Sequence, residues 1–317
     1  MFAYNHGKFV EQALKSILSQ KTSFEVSLRI HDDASIDDTV QVIKRVLSGS
    51  GVSWHLTQAT ENRYPQGLAF FHEFMAETQA EFLAILDGDD FWIDDDKLQR
   101  QVDVLDRSPD AALCHHPVLE FSSGKLTTVD WPPPSYRQEI IQGSRLSFQN
   151  IVSTSSVVLR TSMFPRKMPD GYNVLRIGDY PMWSLTTAGN DIAFVDHPMS
   201  AYRVHDSNIW ASLDPRDKFD RELEARIYIS SHIAEQFRPL WRSGIIDAVK
   251  NSLELAFNVE RLAQAGLLAQ AEIRQKARDA ELWEAQQETK QILASRSWRL
   301  IKLLREIAGR VRHPRQS

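Results

Sequence analysis

Residues 82–92, reading Phe-Leu-Ala-Ile-Leu-Asp-Gly-Asp-Asp-Phe-Trp, constrain this chain more than any other stretch. Five apolar residues run without a break into Asp87, Asp89 and Asp90, with Gly88 between the first two. A short apolar run closed by a turn signal suits a buried strand. The acids then stand where that strand leaves its sheet, and in open α/β sheets ligands collect at the carboxyl ends of strands. Three carboxylates within four residues repel one another and call for a cation. Oxygen ligands of this kind suit Mg²⁺ or Mn²⁺, ions often shared with a substrate's phosphates. A solvated acidic turn is the plainer alternative.

A second acid-bearing strand end lies upstream. Residues 24–30 alternate as a strand and lead to Asp32-Asp33-Ala34-Ser35-Ile36-Asp37-Asp38-Thr39. Ser35 and Asp38 have capping-box spacing ahead of a helix carrying Val40, Ile43 and Leu47. Before that strand, Phe9, Ala13 and Ile17 run beside Val10, Leu14 and Leu18 at helical i, i+4 spacing. After the acidic turn, Asp94-Asp95-Asp96 open a helix with Leu98, Val102 and Leu105 inward, stopped at Ser108-Pro109. Strand–helix alternation predicts a parallel sheet in an α/β domain. Further strands are expected at residues 111–116, 157–159, 192–195 and 199–204. Residues 171–183 read as a site loop entering a helix.

From about residue 214 Gly and Pro become rare and Glu, Arg, Gln, Ala and Leu dominate, the texture of a helical appendage. The division expected is therefore 1–210 and 211–317. In the last stretch Leu300, Ile301, Leu303, Leu304, Ile307, Ala308 and Val311 share one helical face, with Arg299, Lys302, Arg310 and Arg312 opposite. Residues 296–315 carry a net +6, which leaves −11 to the remainder of a chain whose formal charge is −5. A basic amphipathic helix can lie on an anionic membrane surface or pack on its own domain or a second subunit. The acidic body argues against nucleic acid as a partner. No apolar run reaches bilayer length, and no basic-then-apolar leader opens the chain. With Cys114 as the single cysteine, the expected place is cytoplasmic, or peripheral on the inner face of the cell membrane.

Five stretches together resemble the family 2 glycosyltransferases, GT-A-fold enzymes that build bacterial polysaccharides and O-antigens. They are Tyr4-Asn5-His6 with Phe9-Val10, the Asp32–Thr39 run, Asp87-Gly88-Asp89-Asp90-Phe91-Trp92, Gly178-Asp179-Tyr180-Pro181-Met182-Trp183 and Ala201-Tyr202-Arg203-Val204-His205. They fall in the family's order across residues 1–210. The resemblance implies an α/β GT-A fold, Rossmann-like, with a mostly parallel sheet flanked by helices and a C-terminal helical extension. It implies a nucleotide-sugar donor (UDP-, GDP- or dTDP-linked), Mn²⁺ or Mg²⁺, and a glycan or lipid-linked acceptor. It also assigns roles. Asp33 would bond the base, supported by Phe2, Ala3, Tyr4 and Asn5. Asp87 and Gly88 would lie by the ribose, Asp89 would hold the metal on the diphosphate with Asp90 assisting, and His205 would reach diphosphate or metal. Asp179 matches the general base of an inverting transfer, and Arg203 would support the fold.

Each assignment has a plainer counterpart: Asp33 as a helix-start acid, Asp179 as a helix cap, His205 as a structural histidine. His115 and His116 read as packing, Trp92 as core, and His31, where the family commonly has a small or acidic residue, as inconsequential. The sequence also departs from the family, because only Met1–Ala3 precede Tyr4 where an apolar first strand belongs. An inner strand so shortened would leave backbone groups unpaired, and a true start upstream of Met1 is the expected reason. The rivals are a nucleotidyltransferase, for which Gly7-Lys8 is too little of a phosphate loop, and a catalytically inactive scaffold that binds partners through the helical tail; a homo-oligomer is among the partners expected of the chain.

Overall fold

The computed structural model describes residues 1–129 and 131–294. Contacts divide the chain into two units, Met1–Val249 and Lys250–Ser317.

The amino-terminal part builds the expected parallel run. Strand β1 (Phe2–Ala3) leads to helix α1 (Val10–Leu18), β2 (Ser27–Asp32), α2 (Thr39–Leu47) and β3 (Ser53–Gln58). Strand β2 lies between β1 and β3, parallel to both. Val10, Ala13, Leu14 and Ile17 recur at helical spacing, and α1 buries that face; α2 buries Val42, Ile43 and Leu47 in the same way. The start of α2 corrects the expected capping box. Asp38 makes no side-chain cap, and Asp37 accepts the Thr39 N–H at 3.0 Å and the Thr39 hydroxyl at 2.5 Å. Ser35 is engaged elsewhere, its hydroxyl accepting the Asn5 N–H at 2.9 Å.

Helix α3 (Ala69–Ala76) precedes β4 (Phe82–Ala84), and the apolar run carries the ladder beyond it. The Phe2 N–H donates to the Leu86 carbonyl, the Gly88 N–H donates to Phe2, and Phe2 bridges Asp87 in parallel. The parallel order is thus β3-β2-β1-β4. Next come β5 (Phe91–Trp92) and α4 (Lys97–Arg107), which buries Leu98, Val102 and Leu105 as its spacing predicts. Then follow β6 (Ala111–His115), β7 (Val118–Ser122), β8 (Lys125–Thr128), β9 (Ile140–Gln142) and β10 (Val158–Arg160). Here the sheet turns mixed, for β10 runs antiparallel to both β4 and β6. Helix α5 (Asp179–Thr186) leads to β11 (Asp191–Phe194), parallel to β6 and antiparallel to β9. Strand β12 (Ser200–Arg203) leaves this sheet for a second one ordered β5-β12-β7-β8. It pairs antiparallel with β5, next to the acidic turn.

Helices α6 (Ile209–Ser212), α7 (Pro215–His232) and α8 (Arg238–Ala294) follow. The division expected after residue 210 falls inside the first unit, because Ala225, Tyr228 and Ile229 of α7 and Trp241 of α8 are buried in its core. The basic amphipathic stretch at 298–311 lies outside the described residues. Among the described residues no helix is long and apolar enough to cross a membrane.

The two-residue β1 leaves space on its amino side. A groove of about 500 Å³, lined by Leu28, Phe74, Leu83, Ile85, Trp92 and Val102 among others, opens between the first residues of β2 and those of β4. Met1 closes its inner end, the amino group donating to Arg29 O at 2.8 Å. Burial pushes that amine down to about 5.

Candidate active site

The acidic turn is built by what surrounds it. Arg203 on β12 donates Nε–H to the Asp89 carbonyl at 2.7 Å and a terminal N–H to Gln12 Oε1 at 2.7 Å. Its guanidinium lies over Phe9, Phe91 and Phe121, 4.9 to 5.1 Å from each ring centre. The Arg203 backbone N–H donates to Asp90 Oδ1 at 2.9 Å. Asp90 is buried at 4% exposure, and burial with the Asp89 charge raises its pKa. The structure therefore gives Asp90 to the β12 junction, and does not bring its Oδ1 to the Asp89–His205 cluster. Arg203 supports the fold, as expected.

Around Asp89 three side chains converge on one oxygen. Oδ2 lies 3.2 Å from His205 Nε2, 3.5 Å from Asn208 Nδ2 and 3.6 Å from His6 Nε2. His205 is held from every side. Its Nδ1 meets Ser207 Oγ at 2.9 Å, its N–H donates to Asn208 Oδ1 at 2.5 Å, and its ring lies against Phe9 at 4.6 Å. Neither His6 nor Asn208 stood out as a ligand-site residue in the sequence. His6 sat inside a matching stretch, and Asn208 carried only its position three residues after His205.

The base-site residues expected at the ends of β1 and β2 come together. Asp33 N–H donates to Ala3 O at 2.9 Å. The Asp33 carboxylate, 5% exposed, accepts Arg63 N–H at 2.8 Å and Tyr64 N–H at 3.1 Å. It anchors the 63–64 turn rather than starting α2, and each oxygen retains a lone pair for a ligand. Tyr4 is exposed at 41%. Asn5 takes a left-handed φ of 55° and its Oδ1 accepts Ile36 N–H at 2.9 Å, so its side chain clips two loops together. His31, set aside at the level of sequence, is buried under Asp33: Nε2 is 3.7 Å from Asp33 Oδ1, and the ring meets Phe70 at 5.2 Å. Burial lowers its pKa. His115 and His116 are buried packing residues on β6 and just after it, and Trp92 is core, as read.

Asp179 opens α5, where its Oδ1 accepts the Tyr180 N–H at 2.7 Å. Burial pushes it up to about 6 against the opposing pull of that hydrogen bond. Asp87 is pushed up to about 7, by burial first and then by the charge of Asp89; the Met1 ammonium lowers it and Asp179 adds a further rise. Asp87, Asp89 and Asp179 thus share one electrostatic neighbourhood. Asp87 and Asp179 are held above the ordinary carboxylate range by burial first, and the Asp89 charge adds to the rise at Asp87. A divalent cation placed there would offset that negative charge, and Asp89 Oδ2 and His205 Nε2 are the side-chain atoms that would hold it. His205 Nδ1 is engaged by Ser207 Oγ, and its Nε2 lies 3.1 Å from Asn208 Nδ2 as well as 3.2 Å from Asp89 Oδ2. Among the described residues no three His, Cys, Asp or Glu side chains form a ready cage.

Acids at the carboxyl ends of β2 and β4, a sheet reversed at β10 and a small second sheet presenting His205 define the GT-A glycosyltransferase class of fold. S. aureus TarS (residues 1–349), crystallised with UDP, has a TM-score of 0.54 at 16% identity, covering 78% of this chain and 69% of that one. Mannosyltransferase PcManGT from Pyrobaculum calidifontis, in complex with GDP-Man and Mn²⁺, has a TM-score of 0.56 at 15% identity, covering 80% and 73%. The chain belongs to glycosyl transferase family 2, whose family model matches residues 1–164. Uncharacterized proteins Rv1520 of Mycobacterium tuberculosis and Mb1547 of Mycobacterium bovis are each 31% identical over 222 residues, 66% of this chain. The chain spans 59% of the length of these relatives.

Proposed function

We propose that this protein is a metal-dependent, inverting glycosyltransferase that moves a sugar from a nucleotide-sugar to a hydroxyl of a growing cell-surface glycan. The convergence of Asp89 and His205 within the electrostatic reach of Asp87 and Asp179 is the observation that carries this reading. Asp33 and the exposed Tyr4 would receive the base, with Ala3 and Asn5 holding their loops, and Asp87 and Gly88 would face the ribose. Asp89 and His205 would hold Mn²⁺ or Mg²⁺, which offsets the charge developing on the departing nucleoside diphosphate. Asp90 would act through Arg203 rather than at the ion. Asp179 would take the proton from the acceptor hydroxyl as that oxygen bonds the anomeric carbon from the far side. The bond to the diphosphate breaks in the same step and configuration inverts. PcManGT, bound to GDP-Man and Mn²⁺, and TarS, bound to UDP, support the donor class by analogy of fold. The basic tail, read from sequence, supports a lipid-carried acceptor at the inner membrane face.

Calorimetry with UDP, GDP and dTDP, each with and without Mn²⁺, tests the donor site. Binding should need Mn²⁺ and should fall at least about tenfold in Asp89→Ala, the size expected for losing a charged metal ligand, with a smaller loss in Asp33→Ala. Metal-independent binding, or an Asp89→Ala variant that binds normally, would sink the assignment. Metal-dependent binding with no sugar transfer would instead identify a nucleotide-binding scaffold without turnover.

A further inference from the structure

Asp33 has a neighbour to which the reading above gives no task. His31, in β2, and Asp33, just past its end, lie two residues apart and so share a face of the sheet. The His31 backbone is locked in place. Its N–H donates to Met1 O at 2.9 Å, and the residue pairs with Phe2 on one side and Thr57 on the other. His31 is 4% exposed, its ring 5.2 Å from that of Phe70, 5.5 Å from Phe74 and 6.1 Å from Phe2. Among the described residues its Nε2, buried, has no hydrogen-bond partner, and it stands 3.7 Å from Asp33 Oδ1. Buried polar atoms ordinarily find partners. Burial holds the ring's pKa down, so a neutral imidazole has one proton to place. A carboxylate oxygen in front of Nε2 draws it to that nitrogen.

Building on the donor-site reading, we propose that His31 sets the base specificity of Asp33, admitting a uracil- or thymine-type imide and rejecting guanine. A count of lone pairs carries the inference. Asp33 Oδ1 accepts Arg63 N–H and Oδ2 accepts Tyr64 N–H, which leaves one accepting site on each oxygen. A shift of about 0.7 Å at the soft carboxylate torsion brings Oδ1 within reach of the His31 N–H. Oδ1 is then full, and a single site on Oδ2 is left for the base. The imide edge of uracil or thymine carries one N–H between two carbonyl oxygens, so one acceptor satisfies it. Guanine presents N1–H and its N2 amino group side by side and needs both carboxylate oxygens. With Oδ1 taken, its second donor enters the pocket unpaired. His31 acts through Asp33 and is a positioning residue, without contact to the donor itself.

Calorimetry on the full chain with UDP, dTDP and GDP, each in the presence of Mn²⁺, reads this selectivity without any turnover. The wild type should bind UDP and dTDP at least about tenfold more tightly than GDP, the effect of one buried donor left unpaired. His31→Leu and His31→Phe free the Oδ1 site, and in them the preference should shrink to about threefold or less. His31→Gln carries an amide N–H where Nε2 stood and should keep the wild-type preference, a rescue that packing alone would not give. Should one of the donor-less variants fail to fold, the other gives the same reading. A purely structural role for His31 would weaken all three nucleotides alike and leave their ratio unchanged. That result, or a wild type that binds GDP as tightly as UDP, would overturn the inference while leaving the donor site standing. A wild type that binds none of the three nucleotides would overturn both.

Discussion

Asp179→Asn is expected to remove sugar transfer while leaving nucleotide binding within about twofold of the wild type. General-base catalysis contributes about 10² to 10⁴ in rate, and an amide of the same shape cannot take the proton. Burial has raised Asp179 to about 6, so the wild-type rate should climb about tenfold per pH unit up to that value and then level off. The same shift predicts a gain in stability for the inactive variant. A carboxyl whose folded pKa lies above its unfolded value loses stability as pH rises from about 4 to about 6, because the folded state then binds the extra proton. Asparagine escapes that loss. The variant should melt higher at pH 7.5 by the equivalent of about 3 kcal/mol, from a shift of about two units at 1.36 kcal/mol each, and the advantage should vanish below about pH 4. A variant that transfers sugar normally, or whose gain is the same at both pH values, would exclude Asp179 as the base.

Arg203→Ala is the substitution expected to damage the fold most. The guanidinium is buried with its residue at 8% exposure, and it bonds the Asp89 carbonyl and Gln12 while three phenyl rings enclose it. Removing it leaves two acceptors without their donor and a void between Phe9, Phe91 and Phe121. Breaking a buried charged network of this kind costs about 3 to 5 kcal/mol, and each kcal/mol moves the melting point by about 2 to 4 °C in a unit of this size. A drop on the order of 10 °C is therefore expected by calorimetric melting. Arg203→Lys should fall between, since an ammonium keeps the charge but cannot serve Asp89 and Gln12 through one planar fork. A melting point unchanged in Arg203→Ala would show that the rings, not the cation, hold the acidic turn.

The acidic strand ends and their flanking helices were legible because their signals are local. An apolar run ending in acids places Asp87 and Asp89 at a strand end whatever the neighbours are, and helical spacing placed α1 and α4 on the sheet. What the sequence did not reveal depends on direction and distance. Hydrophobic patterning does not encode whether a strand runs up or down, so the reversal at β10 was invisible. Helix-cap grammar favoured Ser35, but Asn5, thirty residues away, had claimed its hydroxyl. Likewise His6 and Asn208 reach Asp89 from far along the chain, and the N–H that Asp90 Oδ1 accepts comes from Arg203, 113 residues away.

Because β10 runs against β4 and β6, its first residues sit beside the carboxyl end of β4, where Val158 pairs with Ala84. The chain just before it is already tied to the acidic turn's flank, Trp92 Nε1–H donating to Ser155 O at 3.1 Å. Two segments distant in sequence, Asp87–Trp92 and the stretch that ends at Ser155, are therefore pinned side by side at the carboxyl end of β4, so that a displacement of either is passed to the other.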